Sequence, residues 1–331
     1  MIAKRRLPAM ILLVTLSAIL LLSSLITGCT ATEEKPTLVF ADLTWDSAYF
    51  HNRVAGFILE NGYGYETDSI PGSTTPLFAG LAAGDIDISM EIWMDNQKEA
   101  VDAAIDAGEV VDLGRNFGDS WQGWLVPTYM IEDGDLPADI SVENISDYWD
   151  LFKDPEDPTK GRFYNGDPGW ECTGIDAIKF ETYGLNESFN IFIAGSTDAL
   201  NASLVSAYES HEAWFGYYWS PTYILGQLDM TVVTEPDYDE DVWNENYGCA
   251  YTDVPVHIVV NTGLIDKAPD AVSFLTKYET TAAMINAALA YMDEQGASYE
   301  ETAIWFLQEY ESTWTQWVPE DIASKVKAAL P

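Results

Sequence analysis

Residues 37–93, TLVFADLTWDSAYFHNRVAGFILENGYGYETDSIPGSTTPLFAGLAAGDIDISMEIW, carry the architecture in their spacing. Residues 37–40 form a short apolar strand signal. Phe50, Val54, Phe57 and Ile58 then recur at helical spacing behind Ser47, a residue type that caps helices. Gly62 and Gly64 end that helix. Residues 65–70 read as the next strand, broken by Pro71-Gly72. A helix over 74–83 stops at Gly84, a third strand fits 86–93 and a third helix 96–107. The β-α-β-α-β order predicts a parallel sheet with right-handed crossovers. The middle is turn-rich, with helices expected over 174–183 and 197–210 and strands over 213–218, 230–234 and 254–260. Helices are expected over 270–277, 280–292, 300–311 and 319–329. The fold class is therefore α/β.

The chain begins with Lys4, Arg5 and Arg6, an apolar run to about residue 26, and then Leu25-Ile26-Thr27-Gly28-Cys29. A charged, then apolar, then small-residue order marks an export signal. The cysteine after Gly28 gives it the form of a lipobox, in which Cys29 is lipidated and becomes the new N-terminus. Persistence of the apolar run as a membrane span is the alternative. Residues 1–28 read as the signal, 29–36 as a polar tether. The expected localisation is outside the cell, anchored to the outer face of the membrane or periplasmic. An oxidising compartment permits disulfides, so Cys172 and Cys249 are either bridged or free.

Acidic residues number 54 against 15 basic ones, for a net charge of −39. Such a chain repels phosphate backbones, which excludes nucleic acid as a partner. The three histidines, His51, His211 and His257, form no metal or catalytic motif, and no G-x-S-x-G elbow or phosphate-binding loop appears. No enzyme activity, cofactor or metal is expected.

Tryptophan is abundant, with 12 residues. Core packing accounts for many of them. Trp45 and Trp93, however, stand at the carboxyl ends of the first and third strands, where open α/β sheets bind ligands. Trp170 and Trp219 stand beside turn formers, in Asp167-Pro168-Gly169-Trp170-Glu171-Cys172 and Gly216-Tyr217-Tyr218-Trp219-Ser220-Pro221.

These runs, in this order with Asn246-Tyr247-Gly248 and His257-Ile258-Val259, resemble the glycine betaine/proline betaine-binding proteins of ABC importers. The resemblance implies a type II periplasmic-binding fold, two α/β lobes on a two-crossing hinge. Lobe 1 would span 37–127 and return over 255–331, with lobe 2 over 128–254 and crossings near 125–129 and 252–256. It implies that Trp93, Trp170 and Trp219 box a quaternary ammonium, and that the amides of Glu171 and Cys172 help hold a ligand carboxylate. The implied partners are an ABC permease and its ATPase. Two positions depart from the family pattern. Gln97 stands where some members place a histidine on the carboxylate. Gly166 stands where those members have the cysteine that closes a short disulfide with the position of Cys172. Trp45 and Asp46 either line the same cleft or pack. The alternative ligand is choline or another small amine or amino acid. Choline would want a side-chain carboxylate, with Asp46 or Glu91 as candidates. A secreted enzyme is the remaining reading.

Overall fold

The computed structural model describes residues 35–252 and 255–331. The leader over 1–28, Cys29 and most of the tether lie outside the described residues. Two five-stranded sheets form the described part. Sheet A has the order β2-β1-β3-β10-β4, built from β1 (Thr37–Leu43), β2 (Glu66–Gly72), β3 (Ile88–Trp93), β4 (Val110–Phe117) and β10 (Val256–Asn261). Sheet B has the order β7-β6-β8-β5-β9, built from β5 (Trp121–Pro127), β6 (Gly161–Asn165), β7 (Phe189–Ile193), β8 (Gly216–Ser220) and β9 (Met230–Val232).

The two lobes share one plan. β1 lies parallel between β2 and β3, and β6 lies parallel between β7 and β8. The strand that has just crossed from the other lobe enters each sheet antiparallel: β10 between β3 and β4, β5 between β8 and β9. All six residues of β3 are buried, as expected of a central strand covered on both faces. Pro71 sits inside β2, not beyond it. β2 is the sheet edge, where a residue without an N–H is tolerated.

The chain leaves sheet A after Phe117 and enters sheet B at Trp121. The first crossing is thus residues 118–120, ahead of the expected 125–129, and lobe 2 starts before residue 128. Residues 121–127 belong to lobe 2 because they make a strand with partners on both sides there. The expected second crossing, 252–256, includes residues 253–254, which lie outside the described residues. β9 and β10 bracket it.

The helix Asp46–Ile58 begins one residue before Ser47, with extended Trp45 at its cap position, and Ser47 is buried inside the first turn. A π-helical turn, Leu59–Tyr63, carries this helix on to Gly64. The helix Thr74–Ala83 matches its expected bounds. The helix Tyr299–Glu309 opens with a capping box between Ser298 and Glu301 and packs on Asp46–Ile58. The helix Ala282–Gln295 instead reaches lobe 2 and packs on Tyr223–Gln227, where Gln227 Nε2 donates to Asp293 Oδ2 (2.9 Å). Among the described residues no helix is long and apolar enough to cross a membrane.

Candidate functional site

Every expected aromatic position falls at a strand end or a helix start facing the cleft between the lobes. Trp45 follows β1 and starts a helix, and Trp93 ends β3. Trp170 starts the helix Glu171–Thr182, and Trp219 lies on β8. All four are buried, between 5% and 7% exposed. They line one cavity together with Thr74, Asn96, Gln97, Glu171, Cys172 and Tyr217. Its volume is about 40 Å³. One water needs roughly 10–15 Å³, so the cavity suits a compact solute and not a chain.

The rings meet mostly at right angles. Trp170 is edge-on to Trp45 (centroids 5.8 Å, 87°) and to Trp219 (5.0 Å, 84°). Trp93 is fixed from behind by Phe117 (6.4 Å, 83°), and Trp219 lies near-parallel to Tyr218 (4.9 Å, 29°) and Tyr217 (6.2 Å, 21°). Such packing leaves the rings that line the cavity little rotamer freedom.

The polar floor comes from a helix start. The first amides of Glu171–Thr182 have no intrahelical acceptor, so Glu171 and Cys172 N–H sit at the positive end of a helix dipole. Asn96 and Gln122 exchange two side-chain hydrogen bonds across the lobes (3.1 and 2.9 Å), and Tyr217 Oη donates to the same Gln122 (2.9 Å). Gln97 lines the cavity, while Asp46 is turned away and accepts from Tyr299 Oη (2.7 Å). Glu91 lies behind the wall, wholly buried, and accepts from Trp45 Nε1 (2.7 Å).

Contacts across the cleft hold the lobes against each other. Ser73 Oγ donates to Asp167 Oδ1 (2.9 Å), Thr75 Oγ1 to Glu171 Oε1 (2.8 Å) and Trp170 Nε1 to Thr44 Oγ1 (3.4 Å). Thr197 Oγ1 donates to the Thr44 carbonyl. Gly169 comes so near Ser73 that a Cβ there would lie 2.3 Å from the Ser73 Cβ.

Cys172 and Cys249 are both free and buried. The bridge is not formed: Cys172 starts a helix beside Tyr217, while Cys249 Sγ faces the Asp239 carbonyl (3.6 Å) and its own carbonyl receives Lys179 Nζ (2.6 Å).

Sequence reasoning passed over Thr74, Asn96 and Tyr217. Tyr217 was legible in principle, since it precedes Trp219 by two on a strand and so shares its face. A buried network behind the lobe-2 wall was not. Lys179, wholly buried, pairs with Glu235 (2.7 Å) and lies over the Tyr251 ring (4.2 Å). Asp176 accepts from Trp124 Nε1 and Tyr251 Oη, both at 2.8 Å. Burial pushes its carboxyl up to about 7, against the pull of Lys179. Among the described residues no three His, Cys, Asp or Glu side chains are grouped to hold a metal ion.

The fold and this cavity define a two-lobed solute-binding clamp. Over residues 36–309 the chain belongs to the family of substrate-binding domains of ABC-type glycine betaine transport systems. It is 25% identical over 291 residues to the trimethylamine N-oxide-binding protein of Pelagibacter ubique, spanning 86% of this chain and 91% of that one. It is 23% identical to the glycine betaine/proline betaine-binding periplasmic protein of Escherichia coli, spanning 75% and 78%. Its fold is similar to that of an ABC-transporter choline-binding protein in complex with choline. That match has a TM-score of 0.74 and 22% identity, and covers 89% of this chain and 98% of that one.

Proposed function

We propose that this substrate-binding protein captures glycine betaine between its lobes. The trimethylammonium group would lie among Trp93, Trp170 and Trp219, with Trp45 as a fourth wall, and the carboxylate at the amides of Glu171 and Cys172. The observation that carries the reading is the convergence of four indoles, two from each lobe, on one small cleft.

A quaternary ammonium has no N–H, so hydrogen bonds cannot select it, whereas ring faces can. Each desolvated cation–π contact contributes on the order of 1–2 kcal/mol, so three give roughly 3–6 kcal/mol. Methyl burial adds about 0.8 kcal/mol per group. A cation that carries N–H donors would lose its hydrogen bonds to water in such a box. A helix N-terminus is a ready anion site, which suits the carboxylate end.

Neither Asp46 nor Glu91, the acidic side chains that could accept from choline's hydroxyl, lines the cavity. Asp46 is engaged by Tyr299, and Glu91 is covered by Trp45. Lipidated Cys29 would tether the protein to the outer face of the membrane, and an ABC permease and its ATPase would receive the ligand. No catalytic step is assigned to the protein.

The test is a tryptophan-fluorescence titration of residues 30–331 with glycine betaine, trimethylamine N-oxide and choline. Saturable quenching by glycine betaine at micromolar concentration is expected. Saturation by choline alone would move the ligand's far end to an acidic side chain and overturn the betaine assignment.

A further inference from the structure

Glu91 lies on the same face of β3 as Trp93, two residues before it, and is wholly buried. One carboxyl oxygen accepts from the indole N–H of Trp45 (2.7 Å). The other, Oε1, has no hydrogen-bond partner and lies 3.7 Å from His51 Nε2, which has none either. The far nitrogen of His51 is shared with Tyr278 Oη (2.8 Å). A carboxyl group thus sits directly behind the cavity wall with room for one proton between itself and a buried imidazole. Resting on the aromatic-box reading, we propose that Glu91 is a positioning and charge-tuning residue for Trp45 whose deprotonation is linked to capture of the cation.

The physical link has two parts. A carboxylate at the indole N–H polarises the ring and makes its face more negative, which strengthens a cation–π contact on the other side. The charge itself also attracts a cation through a low-dielectric wall. Both act only on the ionised form. By the same coupling, a bound cation must favour ionisation of Glu91.

The groups around Glu91 leave this proton to it. His51, on the helix Asp46–Ile58, is lowered by burial to about 3 and stays neutral. Tyr278 is raised well above its ordinary value by burial. Asp46 on the same helix faces Tyr299, and Asp42 on β1 is occupied by Arg53 and Asn52. His257 on β10 is paired with Asp112 of β4. Burial raises Glu91 itself to about 7, with the Trp45 indole, the Ser47 hydroxyl and the Trp93 indole, in that order, pulling the other way. The transition therefore falls near neutral pH. Affinity for a cation is highest above about pH 7 and declines as the pH falls below it.

The experiment is calorimetric titration with tetramethylammonium chloride, whose charge does not change with pH, from pH 5 to 8.5. Wild-type protein should bind about tenfold more weakly at pH 5 than at pH 8.5, the effect of a one-unit drop in the Glu91 pKa on binding. At pH 7 it should release a fraction of a proton, read from heats in two buffers of different ionisation enthalpy. Glu91→Gln keeps an acceptor for Trp45 but no titration. Its binding should be weak, independent of pH and without proton release. A purely structural role would change the melting temperature of Glu91→Gln and leave its pH profile like the wild type, which would overturn the proposal. Wild-type binding that is flat across the range would overturn it too, leaving the box intact. Absence of tetramethylammonium binding at every pH would overturn the box and this linkage together.

Discussion

Three tryptophans carry unequal neighbourhoods, and that shapes what their loss should do. Trp93 is backed by Phe117, Trp170 is flanked by Trp45 and Trp219, and Trp219 has Tyr217 and Tyr218 as near-parallel neighbours. Replacing any one with alanine should weaken glycine betaine binding at least about tenfold, a loss of about 1.4 kcal/mol or more. Circular dichroism and the melting transition should stay near wild type, because each ring faces the cavity on one side. Unchanged affinity in two of the three would remove the box. Glu91 separates stability from binding. Its carboxyl is held near 7 in the folded protein, above its unfolded value, so the stability it contributes is full below about pH 4.5 and is lost as the pH rises through about 7. Glu91→Gln should therefore be at least as stable as wild type at pH 8 by thermal unfolding, while binding cations more weakly. Lys179 is the opposite case. Lys179→Met leaves Glu235 buried without its partner and should cost about 3–5 kcal/mol in denaturant unfolding.

At the scale of elements, the first third of the chain was readable because its helices and buried strands differ in period. The helix Thr74–Ala83 was bounded on both sides by turn residues and came out as expected. Strands β4 to β7 were not recognised, and each has a local reason. β4 carries Gly114 at φ +108 and Arg115, where pairing with β10 slips its register. β5 begins at a tryptophan in what read as a connection, and β6 is half polar and sits between turn-rich stretches. β7 is a short apolar run of five residues, which periodicity cannot separate from buried helix. The tryptophans that line the cavity were legible because they stand at or near element ends. Glu91 was named only as a candidate carboxylate for choline, and Lys179 was not singled out, since burial of one charged residue in a chain with 54 acidic residues has no mark in sequence. The helix Glu171–Thr182 has its own test. If its first amides hold the ligand carboxylate, glycine betaine should lose affinity when that charge is removed, as in its methyl ester, while tetramethylammonium keeps the cationic part alone.

On the scale of the whole molecule, binding is closure. Trp45 and Trp93 belong to one lobe and Trp170 and Trp219 to the other, so the cavity is complete only when the cleft is shut. Gly169→Ala should oppose this step selectively, because the clash with Ser73 exists only across the shut cleft. Its melting temperature without ligand should match wild type. Small-angle scattering with glycine betaine should show less compaction, and affinity should fall about tenfold or more. Free thiols at Cys172 and Cys249 predict that reductant leaves the melting temperature unchanged. A drop on reduction would mean a bridge that the fold does not contain.

The central claim is that indole faces select a fully methylated ammonium. Calorimetric titration of residues 30–331 with glycine, sarcosine, dimethylglycine and glycine betaine tests it most directly, since the carboxylate is constant and only N–H groups are exchanged for methyls. The account predicts micromolar binding of glycine betaine, a steep loss at dimethylglycine where the first N–H appears, and no measurable heat with glycine. Equal binding along the series would contradict it, by placing recognition at the carboxylate and leaving the four tryptophans as packing.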